Sequence, residues 1–177
     1  MTVEEIFSTL TNHMLEGIMM HEQFISYYDF LGLCGYSKDH EKHFDEESKA
    51  YRRIYHYYIT TYNKLLPTSK FPQPKIIPTS WLQYSRQDVD MKTKQNAVQQ
   101  GLEEWVRWER ETYDLYQQLY SELIKLDKFY DAEEIKCLIY DVKLELVDAE
   151  QFQLNKISMN YDMTDIIHEQ EQQDNSL

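Results

Sequence analysis

The distribution of helix-breaking residues constrains this chain more than any other feature of its sequence. There are only four glycines and four prolines among 177 residues, and the prolines fall in one short stretch, at Pro67, Pro72, Pro74 and Pro78. Proline interrupts helices and glycine weakens them, so the segments on either side of this stretch can form long helices. The length suits a single domain built around one core.

Apolar residues recur at helical spacing in four segments, and each segment predicts one helix. The predicted helices cover residues 3–33, 38–66, 89–127 and 131–159. Thr2 and Glu5 have the spacing of a capping box at the start of the first helix. The fold class predicted from these patterns is all-α, an antiparallel four-helix bundle.

The connections between the predicted helices differ in length. A short link makes helices 1 and 2 antiparallel neighbours. Residues 67–88 form a long, partly apolar connection, which is unusual in a compact domain unless the fold needs a crossover between helices 2 and 3. The bundle is assigned to residues 1–160, and residues 161–177 are predicted to be an acidic C-terminal tail.

Charge and composition exclude several function classes. The net charge is −13, and no predicted face carries the clustered Lys and Arg that phosphate backbones require, so nucleic acid is excluded as a partner. No apolar run is long enough to cross a membrane, and the first residues do not have the pattern of a signal peptide. We therefore expect a cytoplasmic protein in which Cys34 and Cys137 are reduced thiols.

Two short strings resemble helices of the ferritin-like superfamily, which includes ferritins and bacterioferritins. Glu47-Ser48 followed by Tyr51-Arg52-Arg53-Ile54 looks like the second ferritin helix, and WERETYDLYQQL, which contains Glu109, looks like the third. The resemblance covers about residues 3–158. It implies a ferritin-like bundle with one long crossover and a centre of two metal ions in its core.

Such a centre needs a Glu from each of two helices and an ExxH pair from each of the other two. The resemblance implies metal ligands at the following four positions of this sequence: Glu16, Glu109, Asp141 and Glu145. Tyr51 and Ile54 stand where the second helix of ferritins carries its Glu and His. At least two of the six ligands are missing, so the diiron site is expected to be degenerate.

Two other interpretations of these residues stay open. A displaced metal site for Fe, Mn or Zn would consist of two imidazoles and two carboxylates from helices 1 and 2, at His21, Glu22, His43 and Glu47. Glu109 would otherwise pair inside the core with Arg52, Arg53 or a tyrosine hydroxyl, because an unpaired buried carboxylate is unfavourable.

Two functional hypotheses follow. In the first, the bundle has lost its diiron centre, has no cofactor or catalytic residue, and acts as a structural or interaction protein. It would form a homo-oligomer or bind a protein partner, using exposed aromatic residues on helix 3, at Trp108, Tyr113 and Tyr120. In the second, it is a metalloprotein that binds or oxidises iron, or holds one Mn or Zn; as an enzyme it would be a ferroxidase-like oxidoreductase.

Overall fold

The computed structural model of this chain describes residues 1–66 and 89–162 and contains four helices. They are α1 (Val3–Leu31), α2 (Cys34–Tyr62), α3 (Met91–Lys125) and α4 (Phe129–Ser158). Within these two ranges there is no β-strand. The prediction of an all-α, four-helix architecture is therefore confirmed, while the predicted crossover at 67–88 lies outside the described residues.

The first helix begins and ends with local signals that the sequence carries. The Glu5 backbone N–H donates to Thr2 Oγ1 at 3.2 Å, and the Thr2 N–H donates back to the Glu5 carboxylate at 2.7 Å, which completes the capping box. The helix ends at Leu31, before the predicted residue 33, because Gly32 adopts a left-handed conformation with φ of 69°. Helix α2 then begins at Cys34, before the predicted start at residue 38.

Helices α1 and α2 pack as an antiparallel pair. The rings of Phe7 and Tyr57 stack with centroids 5.9 Å apart, at the start of α1 and the end of α2. At the opposite end of the pair, Tyr28 contacts Tyr36 with a centroid distance of 5.5 Å. The two-residue connection between the helices leaves no other arrangement.

Helices α3 and α4 form the second antiparallel pair, and α3 also packs against α1. The Gln95 amide donates to the Tyr161 carbonyl at 3.0 Å, so the start of α3 meets the chain that follows α4. The N-terminal amino group lies 3.5 Å from Glu122, near the end of α3. Since α1 runs opposite to both α2 and α3, helices α2 and α3 run in the same direction.

The apolar core consists of two clusters with a polar layer between them. One cluster contains Ile6, Phe7, Leu10, Ile54, Leu119, Leu123 and Ile135. The other contains Phe24, Tyr28, Leu31, Val98, Leu102, Trp105 and Ala149. Along the helices, the positions between these clusters are held by Gly17 and His21 of α1, His43 and Glu47 of α2, Glu109 of α3 and Glu145 of α4. Ionisable groups that interrupt a packed core in this way indicate a functional site.

Two predictions about the surface need correction. Trp108 is not an exposed contact residue, because it is only 1% exposed and belongs to the core. Tyr113 and Tyr120 are partly buried and pack against the core. Tyr161 was assigned to the acidic tail but is buried in the second cluster, while residues 163–177 lie outside the described part of the chain.

None of the four helices described has an apolar stretch long enough to cross a membrane.

Candidate metal centre

Three carboxyl groups from three different helices lie close together in the polar layer. Burial raises the pKa of Glu109 to about 8, and the neighbouring Glu145 contributes to this shift. Burial also raises the pKa of Glu145 to about 7, with further contributions from Glu46 and Asp141. The pKa of Glu47 lies well above its ordinary value because the carboxyl is buried and because Glu109 and Glu145 repel its charge. Near neutral pH these groups need either protons or a cation.

The carboxylate of Glu47 rests on Gly17 of α1. A Cβ atom at Gly17 would lie only 2.5 Å from Glu47 Oε1 and 2.6 Å from Oε2, so no larger residue fits without moving this carboxylate. The residue as a whole is partly exposed, but its carboxylate points inward, and among the described residues Oε2 is buried without a hydrogen-bond partner. The neighbouring Trp108 indole partly offsets the upward shift of its pKa. An oxygen buried in this way is a candidate ligand for a cation.

Glu109 is 2% exposed and accepts a hydrogen bond of 3.0 Å from the Trp105 indole N–H. The predicted pairing with Arg52 or Arg53 is wrong, because both arginines are exposed. The Arg53 guanidinium instead lies 3.2 Å from the carboxylate of Glu134 on α4. The sequence could not show this, because neighbouring positions on a helix point about 100° apart, and a small error in rotation decides which of them faces the interior.

His43, Glu46 and Glu145 have the geometry of a metal site. Each offers one ligand atom, and these atoms all lie within 4.8 Å of one another. His43 and Glu46 are three residues apart on one side of α2, and Glu145 approaches from α4. Burial lowers the pKa of His43, which keeps its imidazole neutral and able to bind a metal. Imidazole together with carboxylates suits Zn, Mn or Fe.

A cavity of about 350 Å³ adjoins these ligands between α2 and α4. Its lining includes Glu47 and Glu145 from the polar layer and the exposed side chains of Glu46 and Asp141. Ions and small molecules can therefore reach the carboxylates from the surface. Tyr116 also lines this cavity, and burial and the nearby carboxylates raise the pKa of its phenol, so the hydroxyl remains a proton donor.

Two histidines next to this site bind each other. The Nδ1 atoms of His21 and His40 are 2.8 Å apart, so one ring donates a hydrogen bond and the other accepts it. Burial, with a contribution from His43, lowers the pKa of His40 to about 3. His21 Nε2 is buried without a partner in the described ranges, and the His21 ring stacks on His43 at a centroid distance of 5.4 Å. Both rings are neutral and support the position of His43.

The structure places two residues of the first predicted ligand set and three of the displaced set in the polar layer. Glu109 and Glu145 of the first set belong to the polar layer, whereas Asp141 is exposed at the edge of the cavity. Glu16, next to Gly17 on α1, is partly buried and is not among the groups that shift the pKa values of these carboxyls.

Of the displaced set, His21, His43 and Glu47 lie in the polar layer, and Glu22 is exposed to solvent. The α1 side of the layer therefore contributes His21 and the space above Gly17 rather than a carboxylate.

The register predicted for α2 is wrong by about one turn. Ile54 lies in an apolar cluster, and Tyr51 is partly buried and stacks on Tyr55 with centroids 5.8 Å apart. The polar layer instead meets α2 at Glu47 and His43, so this helix does supply a carboxylate and an imidazole. Sequence reasoning missed Glu46, although its spacing of three residues from His43 was a visible signal. It also missed the roles of His40 and Gly17, which depend on contacts between helices.

Comparison of this chain with known protein-family models and with curated proteins gives no match.

Proposed function

We propose that this chain is a ferritin-like bundle that binds one divalent transition-metal ion, Fe, Mn or Zn, in its polar layer. The first ligands would be His43, Glu46 and Glu145, whose ligand atoms lie within 4.8 Å of one another. This proximity is the observation that carries the proposal. It brings an imidazole and two carboxylates from two helices together beside a cavity, where they match the preferences of such ions.

A centre of two ions does not fit these residues. It would need four carboxylates and two imidazoles directed at one point. Here the α1 side presents Gly17 beneath the Glu47 carboxylate, and His21 is already hydrogen-bonded to His40. The donor set supports one ion, and it does not support a ferroxidase reaction of the diiron type.

The electrostatics of the layer support a bound cation. Glu47 and Glu109 lie behind the proposed ligands, and repulsion between the carboxyl groups contributes to the raised pKa of each. A divalent ion would compensate charges that otherwise have to be removed by protonation. When bound, it would act as a Lewis acid toward a small ligand in the adjoining cavity.

The directions of the helices support the ferritin-like part of the proposal. Because α2 and α3 run in the same direction, the end of α2 and the start of α3 lie at opposite ends of the bundle. Ferritin-like bundles have this arrangement, whereas bundles with short loops only do not.

A non-catalytic structural or interaction role is the second candidate, and the missing α1 carboxylate favours it. In that case Glu47 and Glu109 remain protonated, with Trp105 donating to Glu109, and the polar layer contributes only to packing. The two candidates predict different metal contents.

Equilibrium dialysis followed by elemental analysis separates these candidates. Protein stripped with a chelator should take up one equivalent of Zn²⁺ or Mn²⁺ at pH 8 and much less at pH 6, because Glu145 must lose its proton to bind. Glu145→Gln and His43→Ala should each abolish this uptake. Glu133→Gln, at an exposed position near the start of the same helix, is the matched control and should retain it. Absence of stoichiometric metal in the unmodified protein would support the second candidate and exclude the first.

A further inference from the structure

The outer face of α4 carries a second apolar stripe, opposite to the residues that face the core. The side chains that form it are Tyr140, Leu144, Val147 and Leu154, which are 65%, 49%, 52% and 58% exposed. The inward stripe of the same helix consists of Ile135, Leu138, Val142 and Ala149, which are buried. A helix at the surface of a bundle normally presents polar residues outward, so the folding of one copy does not explain the outer stripe.

The outer stripe has the spacing of a coiled coil. Its steps alternate between three and four residues over about three heptads, in the order Cys137, Tyr140, Leu144, Val147, Gln151, Leu154 and Ser158. We infer that this face, called here the α4 seam, pairs with the same face of a second copy of the chain in a parallel coiled coil. The inference does not rest on the proposed metal site, although Leu144 of this face also lines the cavity beside that site.

Neighbouring ion pairs show that the α4 seam points away from the rest of the bundle. On one side of the seam, Glu134 is paired with Arg53 of α2 at 3.2 Å. On the other side, Glu150 is paired with Arg110 of α3 at 2.5 Å. The seam lies between these flanks and is free to meet another helix along its length of roughly 30 Å.

Charges beside the α4 seam favour a parallel pair. The seven positions of the coiled-coil repeat are written abcdefg, with Leu144 at position a. Lys136 and Lys143 then occupy position g, and Asp141 and Asp148 occupy position e. In a parallel dimer each g residue meets the e residue five positions further along the other copy. Both contacts are then Lys with Asp, and each occurs twice by symmetry. An antiparallel pair would instead bring Asp141 against Asp148.

The polar residue within the α4 seam gives a second reason for this orientation. Gln151 occupies position a of the repeat, and in a parallel dimer the residues at position a of the two copies face each other. The two Gln151 amides can then hydrogen-bond across the interface. In an antiparallel dimer the amide would face an apolar d residue and lose a partner. Cys137 also occupies an a position, so its thiol would lie opposite that of the other copy.

Sedimentation equilibrium of the full chain tests the interface. The unmodified protein should be a dimer, and Val147→Glu should weaken dimerisation by at least about 100-fold, because each copy would bury an unpaired charge. Ile124→Glu changes a residue that is 36% exposed on α3, away from the α4 seam, and should leave the dimer unchanged. Val147→Glu should also bind metal like the unmodified protein. A monomer at high micromolar concentration, or a dimer that persists in Val147→Glu, would overturn the inference.

Cross-linking tests the orientation. In a Cys34→Ser background, the two Cys137 thiols of a parallel dimer should lose two protons and two electrons to diamide and form an intermolecular disulfide. Lys143→Glu should weaken the dimer, and the charge-swapped combination of Lys143→Glu with Asp148→Lys should restore it. A dimer that forms through the α4 seam but gives no Cys137 cross-link would contradict the parallel arrangement.

Discussion

Replacing Glu109 with glutamine should make the metal-free protein less sensitive to alkaline pH. Burial and the nearby Glu145 raise the pKa of Glu109 from its ordinary value of 4.5 to about 8. Between these two pH values the folded state keeps a proton that the unfolded state has already lost. The contribution of this group to the free energy of unfolding is therefore complete at low pH and decreases as the pH rises through the window.

The expected size of this decrease follows from the shift. Each pH unit inside the window lowers the free energy of unfolding by about 1.4 kcal/mol. Between about pH 6.5 and pH 8 the loss from Glu109 comes to roughly 1.6 kcal/mol, after allowing for its own ionisation near the upper limit. For a chain of this size, that corresponds to a fall of about 3–6 °C in Tm.

Urea or thermal unfolding at several pH values, with a chelator present, would measure this effect. Glutamine retains an oxygen that can accept the hydrogen bond from Trp105 but has no proton to lose, so the Glu109→Gln variant should show a flatter dependence on pH. Glu103→Gln, at an exposed position on the same helix, is the matched control and should behave like the unmodified protein. The reasoning is refuted if Glu109→Gln loses as much stability between pH 6.5 and pH 8 as the unmodified protein does.

Three further outcomes are expected from the same site. Gly17→Ala should displace the Glu47 carboxylate, because its Cβ would lie 2.5 Å from Oε1, but should change the free energy of unfolding by no more than about 1 kcal/mol in urea titrations, since this flexible side chain can move aside and alanine favours the helix. A loss well above this value would show that the carboxylate cannot move. Burial lowers the pKa of His40 from 6.5 to about 3, so its contribution to the free energy of unfolding is present above pH 6.5 and is lost as the pH falls below 6.5. His40→Gln should therefore make the free energy of unfolding less sensitive to acid. An unchanged slope against pH would contradict the lowered pKa. Saturating Mn²⁺ should raise Tm more at pH 8 than at pH 6, and an equal increase at both pH values would show that the ion does not compete with protons on Glu145.

The fold was predictable from the sequence because long helices leave strong local signals. The apolar periodicity and the Thr2–Glu5 capping box identify the helices, and the boundaries differ from the predicted ones by a few residues. The early end of α1 depends on the conformation of Gly32. The error at Trp108 has a different cause. This residue lies one position before Glu109 at the edge of the core stripe, and the distance between α1 and α3 decides whether such a position is covered.

The candidate site was predictable only in part. Glu109 and Glu145 could be identified because they occupy the core stripe or its edge. The position of the polar layer along α2 depends on the axial offset between two helices, and a shift of one turn exchanges Tyr51 for Glu47. The role of Gly17 could not be inferred in this way, since a missing side chain has meaning only when the neighbour that fills its space is known.

Anomalous diffraction from crystals of the protein loaded with Mn²⁺ would show directly whether one ion binds between α2 and α4. The proposed function predicts a single anomalous peak within coordination distance of the His43 imidazole and of the Glu46 and Glu145 carboxylates. It would be contradicted by crystals that contain manganese but show no peak at these three residues, or by a pair of peaks in the polar layer.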